Sequence, residues 1–81
     1  MPPRLRTLSG KDLVSVFVKL GFEVSSQRGS HIKLKRAVAS GSQILVIPNH
    51  KSISKGTLQG IYKKALLYLP EEALKPYFYS E

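Results

Sequence analysis

The residue types best suited to chemistry lie between Arg28 and Arg36, in the run Arg-Gly-Ser-His-Ile-Lys-Leu-Lys-Arg. Read as a strand, its period-two alternation sends Ser30, Ile32 and Leu34 to one face and His31, Lys33 and Lys35 to the other. The first face can join a core. The second sets an imidazole, which takes up or releases a proton near neutral pH, in a row with two fixed positive charges. That pairing suits chemistry on a phosphodiester, where a proton must move and negative charge must be offset. Gly29, next to Arg28 and before the strand, allows a turn and close backbone approach by a ligand.

Two further segments fit the same chemistry. Pro48-Asn49-His50 places a second histidine, His50, just after an apolar run, where it serves either to stabilise a loop, to contact phosphate or to carry a proton. Ser54-Lys55-Gly56-Thr57 opens a helical pattern. There Lys55 adds a point charge, Thr57 a hydroxyl and Gly56 room for backbone approach, beside amides that favour phosphate. Lys33, Lys35, Arg36, Lys63 and Lys64 make up a broader positive set. Other catalysts lack residues: there is no cysteine, no carboxylate near either histidine in sequence, and no glycine-rich nucleotide loop. No metal site and no cofactor are expected.

Thirteen Lys and Arg against five Asp and Glu give a net charge of +8. No acidic residue lies between Glu23 and Glu71, an interval that holds Arg28, Lys33, Lys35, Arg36, Lys51, Lys55, Lys63, Lys64 and both histidines. A fold of this segment carries a strong positive field, which points to nucleic acid or an acidic protein as partner. No aromatic-rich face is evident for stacking splayed bases, so phosphate and ribose contacts are expected. The 81 residues, 42% of them apolar, suffice for one domain with one modest core. The apolar runs are too short to span a membrane, residues 1–6 lack the core of a signal peptide, and the absence of cysteine fits a reducing compartment, so a cytoplasmic location is expected.

The elements that must position these residues follow from caps and periodicity. After a basic, proline-containing lead over residues 1–7, Ser9 caps a helix with Asp12 in its first turn and a Leu8–Leu13 staple. Leu13, Val16, Phe17 and Leu20 recur at helical spacing until Gly21 ends the helix. Phe22–Gln27 reads as a strand with Phe22 and Val24 inward, Arg28-Gly29 as a hairpin turn, and Ser30–Arg36 as the second strand. Ala37–Ser42 reads as a loose loop, Gln43–Ile47 as a third strand stopped by Pro48, and Ser54 as the cap of a second helix with a stripe of Leu58, Ile61, Tyr62, Ala65 and Leu69. Pro70 fits the first position of a short further turn, broken by Pro76, and Tyr77-Phe78-Tyr79 form an aromatic tail that either folds onto the core or meets a partner. The order α-β-β-β-α is an α+β, two-layer domain: a three-stranded antiparallel sheet with two helices on one face and a short C-terminal helical turn. This layout resembles the double-stranded-RNA-binding fold.

The motifs, taken in order, resemble a known family. Leu8-Ser9-Gly10-Lys11-Asp12-Leu13, Leu20-Gly21-Phe22-Glu23, Arg28-Gly29-Ser30-His31, Ile47-Pro48-Asn49-His50 and Lys55-Gly56-Thr57-Leu58 are similar, in sequence and spacing, to those of the HicA family of bacterial toxins. The resemblance covers residues 8–69 of a single 1–81 domain and leaves 70–81 as an extension. It implies an mRNA interferase with a double-stranded-RNA-binding-like fold, neutralised by a HicB-type antitoxin. It further implies that the catalytic histidine is the one in Gly-Ser-His, here His31. The expectation is an endoribonuclease toxin that acts on RNA without a metal, through His31, with Arg28, Gly29, Ser30, Lys33, Lys35, His50, Lys55, Gly56 and Thr57 contacting RNA. The rivals are a non-catalytic RNA-binding module of the same fold, and a basic protein that serves only an acidic partner.

Overall fold

In the computed structural model, which describes residues 3–80, the first helix α1 (Gly10–Lys19) starts at a full capping box. The Ser9 hydroxyl accepts from the Asp12 amide at 3.0 Å, and the Ser9 amide donates to the Asp12 carboxylate at 2.9 Å. The Ser9 amide, and after it the Ser9 hydroxyl, hold the Asp12 carboxyl below its ordinary range. The helix ends in a Schellman arrangement. The Phe22 amide donates to the Phe17 carbonyl and the Gly21 amide to that of Val18, with Gly21 at φ +100°, where a side chain would be strained. Phe22 thereby folds back onto Phe17, their ring centroids 5.7 Å apart in an edge-on contact.

The chain enters α1 from a two-residue strand β1 (Arg4–Leu5) and leaves it into β2 (Glu23–Arg28), β3 (His31–Val38) and β4 (Gly41–Pro48), an antiparallel sheet ordered β2-β3-β4. The helix α2 (Lys55–Ala65) is capped by Ser54. The helix α3 (Glu71–Phe78) leads into β5 (Tyr79–Ser80), which pairs antiparallel with β1. The α-β-β-β-α order with both main helices over one sheet face is the double-stranded-RNA-binding-like arrangement. Leu13 and Phe17 of α1, Ile32, Leu34, Leu45 and Ile47 of the sheet, and Leu58, Ile61, Tyr62 and Ala65 of α2 share one buried core, which Leu74 and Phe78 of α3 complete. Met1, Pro2 and Glu81, at the ends of the basic lead and of the C-terminal extension, lie outside the described residues.

Several expectations change. Val24 pairs with Leu34 on the helix side of the sheet but is 54% exposed, because β2 is an edge strand that the helices do not cover and a bulge at Ser25 shifts its register. The stretch Ala37–Ser42 is not a loose loop: Ala37 pairs with Ser42 and Val38 with Gly41, so that a turn at Ala39-Ser40 closes a regular hairpin. Pro70 is the cap of α3 rather than its first residue, and Pro76 sits inside the helix instead of ending it. With two residues left to follow, proline costs one backbone bond there, and burial of Leu74 and Phe78 holds the two turns in place. The C-terminal extension is therefore a helix and a strand, not a single turn, and the aromatic tail packs inward, with Phe78 fully buried and Tyr77 and Tyr79 partly so. The basic lead is likewise paired: Arg4 lies opposite Ser80 and Leu5 opposite Tyr79. The Tyr62 hydroxyl donates to the Glu71 carboxylate at 3.1 Å, and burial first and this contact second push the phenol up to about 12.

Arg36 departs from the positive set altogether. It belongs to the inward register of β3 and lies with its guanidinium 5.1 Å from the centroid of the Phe22 ring. It donates to the Gln43 side chain at 2.7 Å, to the Leu20 carbonyl at 3.1 Å and to the Tyr68 carbonyl at 3.0 Å. One side chain thus satisfies the C-cap carbonyl of α1 and a carbonyl in the turn that follows α2, and ties both to the sheet. Arg36→Ala is expected to lower stability by about 2–3 kcal/mol, since charge-assisted bonds to half-buried carbonyls are lost together. Urea denaturation of the two proteins measures it, and a midpoint unchanged within error would contradict the assignment.

Candidate RNA-facing site

The site is built on the central strand. Along β3 the residues alternate between buried and exposed, with Ile32 and Leu34 in the core and His31, Lys33 and Lys35 on the open face away from the helices. Cross-strand pairing completes that face. Arg28 stands directly opposite His31, Ser26 opposite Lys33, and Glu23 opposite Lys35 on one side; Pro48, Val46 and Ile44 stand opposite the same three residues on the other. Directly opposed residues have Cβ atoms about 4.5–5.5 Å apart, so Arg28 is the nearest fixed charge across from His31. Lys33, two residues along, lies about 7 Å further on the same face. Lys35 pairs in register with Glu23, whose carboxylate offsets part of its charge, so Arg28 and Lys33 are the uncompensated cations on this side of the face.

The turn that precedes His31 is set by Gly29, at φ +55°, which has the positive φ that a two-residue hairpin of type II′ reserves for glycine. A Cβ on Gly29 would meet no atom within 4 Å, so the space over the turn is open. Ser30 closes the turn, and its carbonyl accepts from the Asn49 amide at 2.6 Å. This bond docks the loop after β4 against the His31 hairpin and brings the Pro48-Asn49-His50 segment beside Gly29-Ser30-His31.

The same loop is clamped from behind. The Gly10 amide donates to the His50 carbonyl at 2.9 Å, and the Ile53 amide to the Leu8 carbonyl at 2.9 Å. Gly10 sits so close that a Cβ there would overlap the Pro48 carbonyl oxygen and meet the Asn49 Cα at 2.9 Å. The backbone of His50 is thereby fixed while its side chain is exposed.

Lys55, Gly56 and Thr57 stand apart from this face. They begin α2, on the helix side of the sheet, and the 49–54 loop joins them to the His31 end. The Thr57 amide and hydroxyl are both engaged by Ser54, at 3.4 and 2.9 Å, so that hydroxyl is already partnered within the cap. Gly56 leaves open space around its α-carbon. Lys55 borders a cleft against β1 and β5, while Thr57 borders a groove against Ile44, Leu45 and Val46. Lys63 is exposed, and the Lys64 ammonium lies 5.6 Å from the centroid of the Tyr68 ring. Among the described residues no three His, Cys, Asp or Glu side chains converge, and no helix is long and apolar enough to cross a membrane. The role of Gly10 went unread in the sequence, where it follows a good cap and looks like ordinary helix. Its only signal was a glycine at a first helical position, where larger residues are normally accepted.

The protein is a small α+β domain of double-stranded-RNA-binding-like arrangement, with a basic open sheet face around one histidine. A family model described as the HicA toxin of bacterial toxin-antitoxin systems matches residues 10–67, and the chain belongs to that family. The match runs from α1 to just beyond α2 and leaves β1, α3 and β5 outside it. No curated protein and no solved structure matches the chain.

Gly10→Ala is expected to destabilise the fold by about 1–3 kcal/mol through overlap with backbone that cannot move aside cheaply, although alanine is the better helix former. Gly60→Ala, in α2 with no atom within 4 Å of the new Cβ, is the control and is expected to stabilise by up to about 1 kcal/mol. Thermal unfolding of both variants reads the difference, and equal midpoints would contradict the clamp.

Proposed function

We propose that this HicA-family toxin is an endoribonuclease that cleaves mRNA without a metal ion, with His31 as the catalytic residue. The observation that carries the reading is the position of His31: exposed at the start of the central strand, opposite Arg28, on the face of Lys33 and with the helices on the far side. A module that only held RNA needs the cations of this face but has no use for an imidazole among them.

In this mechanism neutral His31 accepts the proton of a ribose 2′-hydroxyl. The O2′ attacks the adjacent phosphorus, a P–O2′ bond forms, and the P–O5′ bond breaks. A 2′,3′-cyclic phosphate is left on one fragment and a 5′-hydroxyl on the other, the latter protonated by water or by His50. Arg28, Lys33 and, less strongly, Lys35 offset the charge that builds on the phosphoryl oxygens. Gly29 and Ser30 let the strand approach the turn, and His50 with Lys55, Gly56 and Thr57 contacts phosphates away from the cut. The requirement for a 2′-hydroxyl restricts the reaction to RNA. The partner is a HicB-type antitoxin, for which the acid-free stretch from Val24 to Pro70 favours an acidic face laid over His31, with fast and salt-sensitive association.

His31→Ala is expected to slow cleavage of a defined RNA by about 10²- to 10⁴-fold, the usual contribution of a general base, while leaving circular dichroism and RNA affinity nearly unchanged. Wild-type activity is expected to survive EDTA and to yield 2′,3′-cyclic phosphate or 3′-phosphate ends. Equal rates for the two proteins, or 5′-phosphate ends that depend on added magnesium, would refute the proposal.

A further inference from the structure

A second basic feature lies partly outside the family-matched span. The β1–β5 ribbon and the start of α2 enclose an open cleft of about 770 Å³, bordered by Arg4 and Arg6 on the ribbon side and by Ser54, Lys55 and Gln59 on the helix side, with Tyr79 against it. Among the described residues no carboxylate borders it, so three cations from two separate segments face one space.

The cations sit on a fixed frame. The Arg6 amide donates to the Phe78 carbonyl at 2.7 Å, and Arg6 Nε to the Tyr79 carbonyl at 3.3 Å. This leaves the terminal amino groups of the guanidinium for a ligand. Tyr79 packs edge-on against Tyr62 at 5.3 Å between centroids, and Tyr62 packs against the fully buried Phe78 at 5.0 Å. The ribbon is therefore held to the core by aromatic contacts, and its arginines are preorganised rather than carried on a loose lead. The 49–53 loop links this cleft to the docked turn at Ser30, since Asn49 bonds Ser30 and Ser52 and Ile53 line the cleft.

We propose that this cleft binds the phosphate backbone of single-stranded RNA flanking the cleavage site, with Arg4 and Arg6 as contacts that the family core lacks. The inference rests on the RNA-directed reading of the His31 face. An extended polyanion is favoured over a free mononucleotide because the charge of the cleft comes from point cations spread over both walls. An acidic protein segment on the same cations is the competing occupant.

The test uses the full chain carrying His31→Ala, so that RNA is bound and not cut. Fluorescence anisotropy is measured on a short RNA of about 4 nucleotides and a longer one of about 16, across a salt series. Arg4→Gln with Arg6→Gln is expected to weaken binding of the longer RNA and to reduce its salt slope by about 1.4, at about 0.7 per phosphate contact on a single strand. Binding of the short RNA is expected to be unchanged. Arg4→Gln alone, which removes no side-chain hydrogen bond among the described residues, is expected to give about half that change in slope. Unchanged slopes on the longer RNA, or equal losses on both RNAs, would overturn the cleft proposal and leave the His31 reading standing. Failure of the His31→Ala chain to bind either RNA would overturn both.

Discussion

The missing side chain at Gly10 is the constraint on which the arrangement of this protein rests. It lets the first turn of α1 press against the Pro48–Asn49 backbone at a separation that any Cβ would forbid. That contact, with the bonds from Gly10 to His50 and from Ile53 to Leu8, holds the loop between sheet and second helix. The loop in turn reaches Ser30 through the Asn49 amide and so steadies the hairpin from which His31 projects. At the opposite end of the sheet Arg36 does comparable work, gathering the end of α1 and the turn after α2 onto β3. Between these two fastenings, a chain of 81 residues holds one strand in a defined register with helices on one side and solvent on the other.

That register separates two needs that conflict. A core requires apolar side chains, and a polyanion requires exposed cations close together. Alternation along β3 meets both within eight residues, since Ile32 and Leu34 are buried while His31 and Lys33 are not. Crowding of like charge on the open face is limited by placement: Glu23 stands across from Lys35, and the uncharged Ser26, Val46 and Pro48 lie beside Lys33 and His31. Arg28 and Lys33 are left as the cations nearest the imidazole, on the face proposed to meet a phosphodiester.

Much of this was legible in the residues. Ser9 with Asp12 marked the first helix start, Gly21 its end, and the stripe from Leu58 to Leu69 the second helix; each rests on local physics that the fold leaves intact. The alternation from His31 to Lys35 was equally readable, and so was the face on which the histidine lies. What escaped depends on distant parts of the chain. The burial of Arg36 needs the carbonyls of Leu20 and Tyr68, which no local pattern brings near it. The β1–β5 ribbon needs residues at opposite ends of the chain to meet, and Pro76 is tolerated only because Leu74 and Phe78 are gripped by a core that the sequence window does not contain. The small residues from Ala37 to Ser42 looked like a loop because strand signals come from bulk, while the pairing that orders them is made by backbone groups. Among the residues expected at the site, those of the hairpin stand together, whereas Lys55, Gly56 and Thr57 lie on the other side of the sheet because the 49–54 loop wraps around its end.

The central claim is that the open sheet face presents a base to a ribose hydroxyl. Its most direct test is cleavage of one RNA synthesised with a single 2′-deoxy nucleotide immediately 5′ of the scissile phosphate. The account predicts that the wild-type protein binds this RNA as it binds the unmodified strand and does not cut it at that bond. Cleavage there at the rate of the unmodified strand would show that the 2′-hydroxyl is not the nucleophile and would contradict the account.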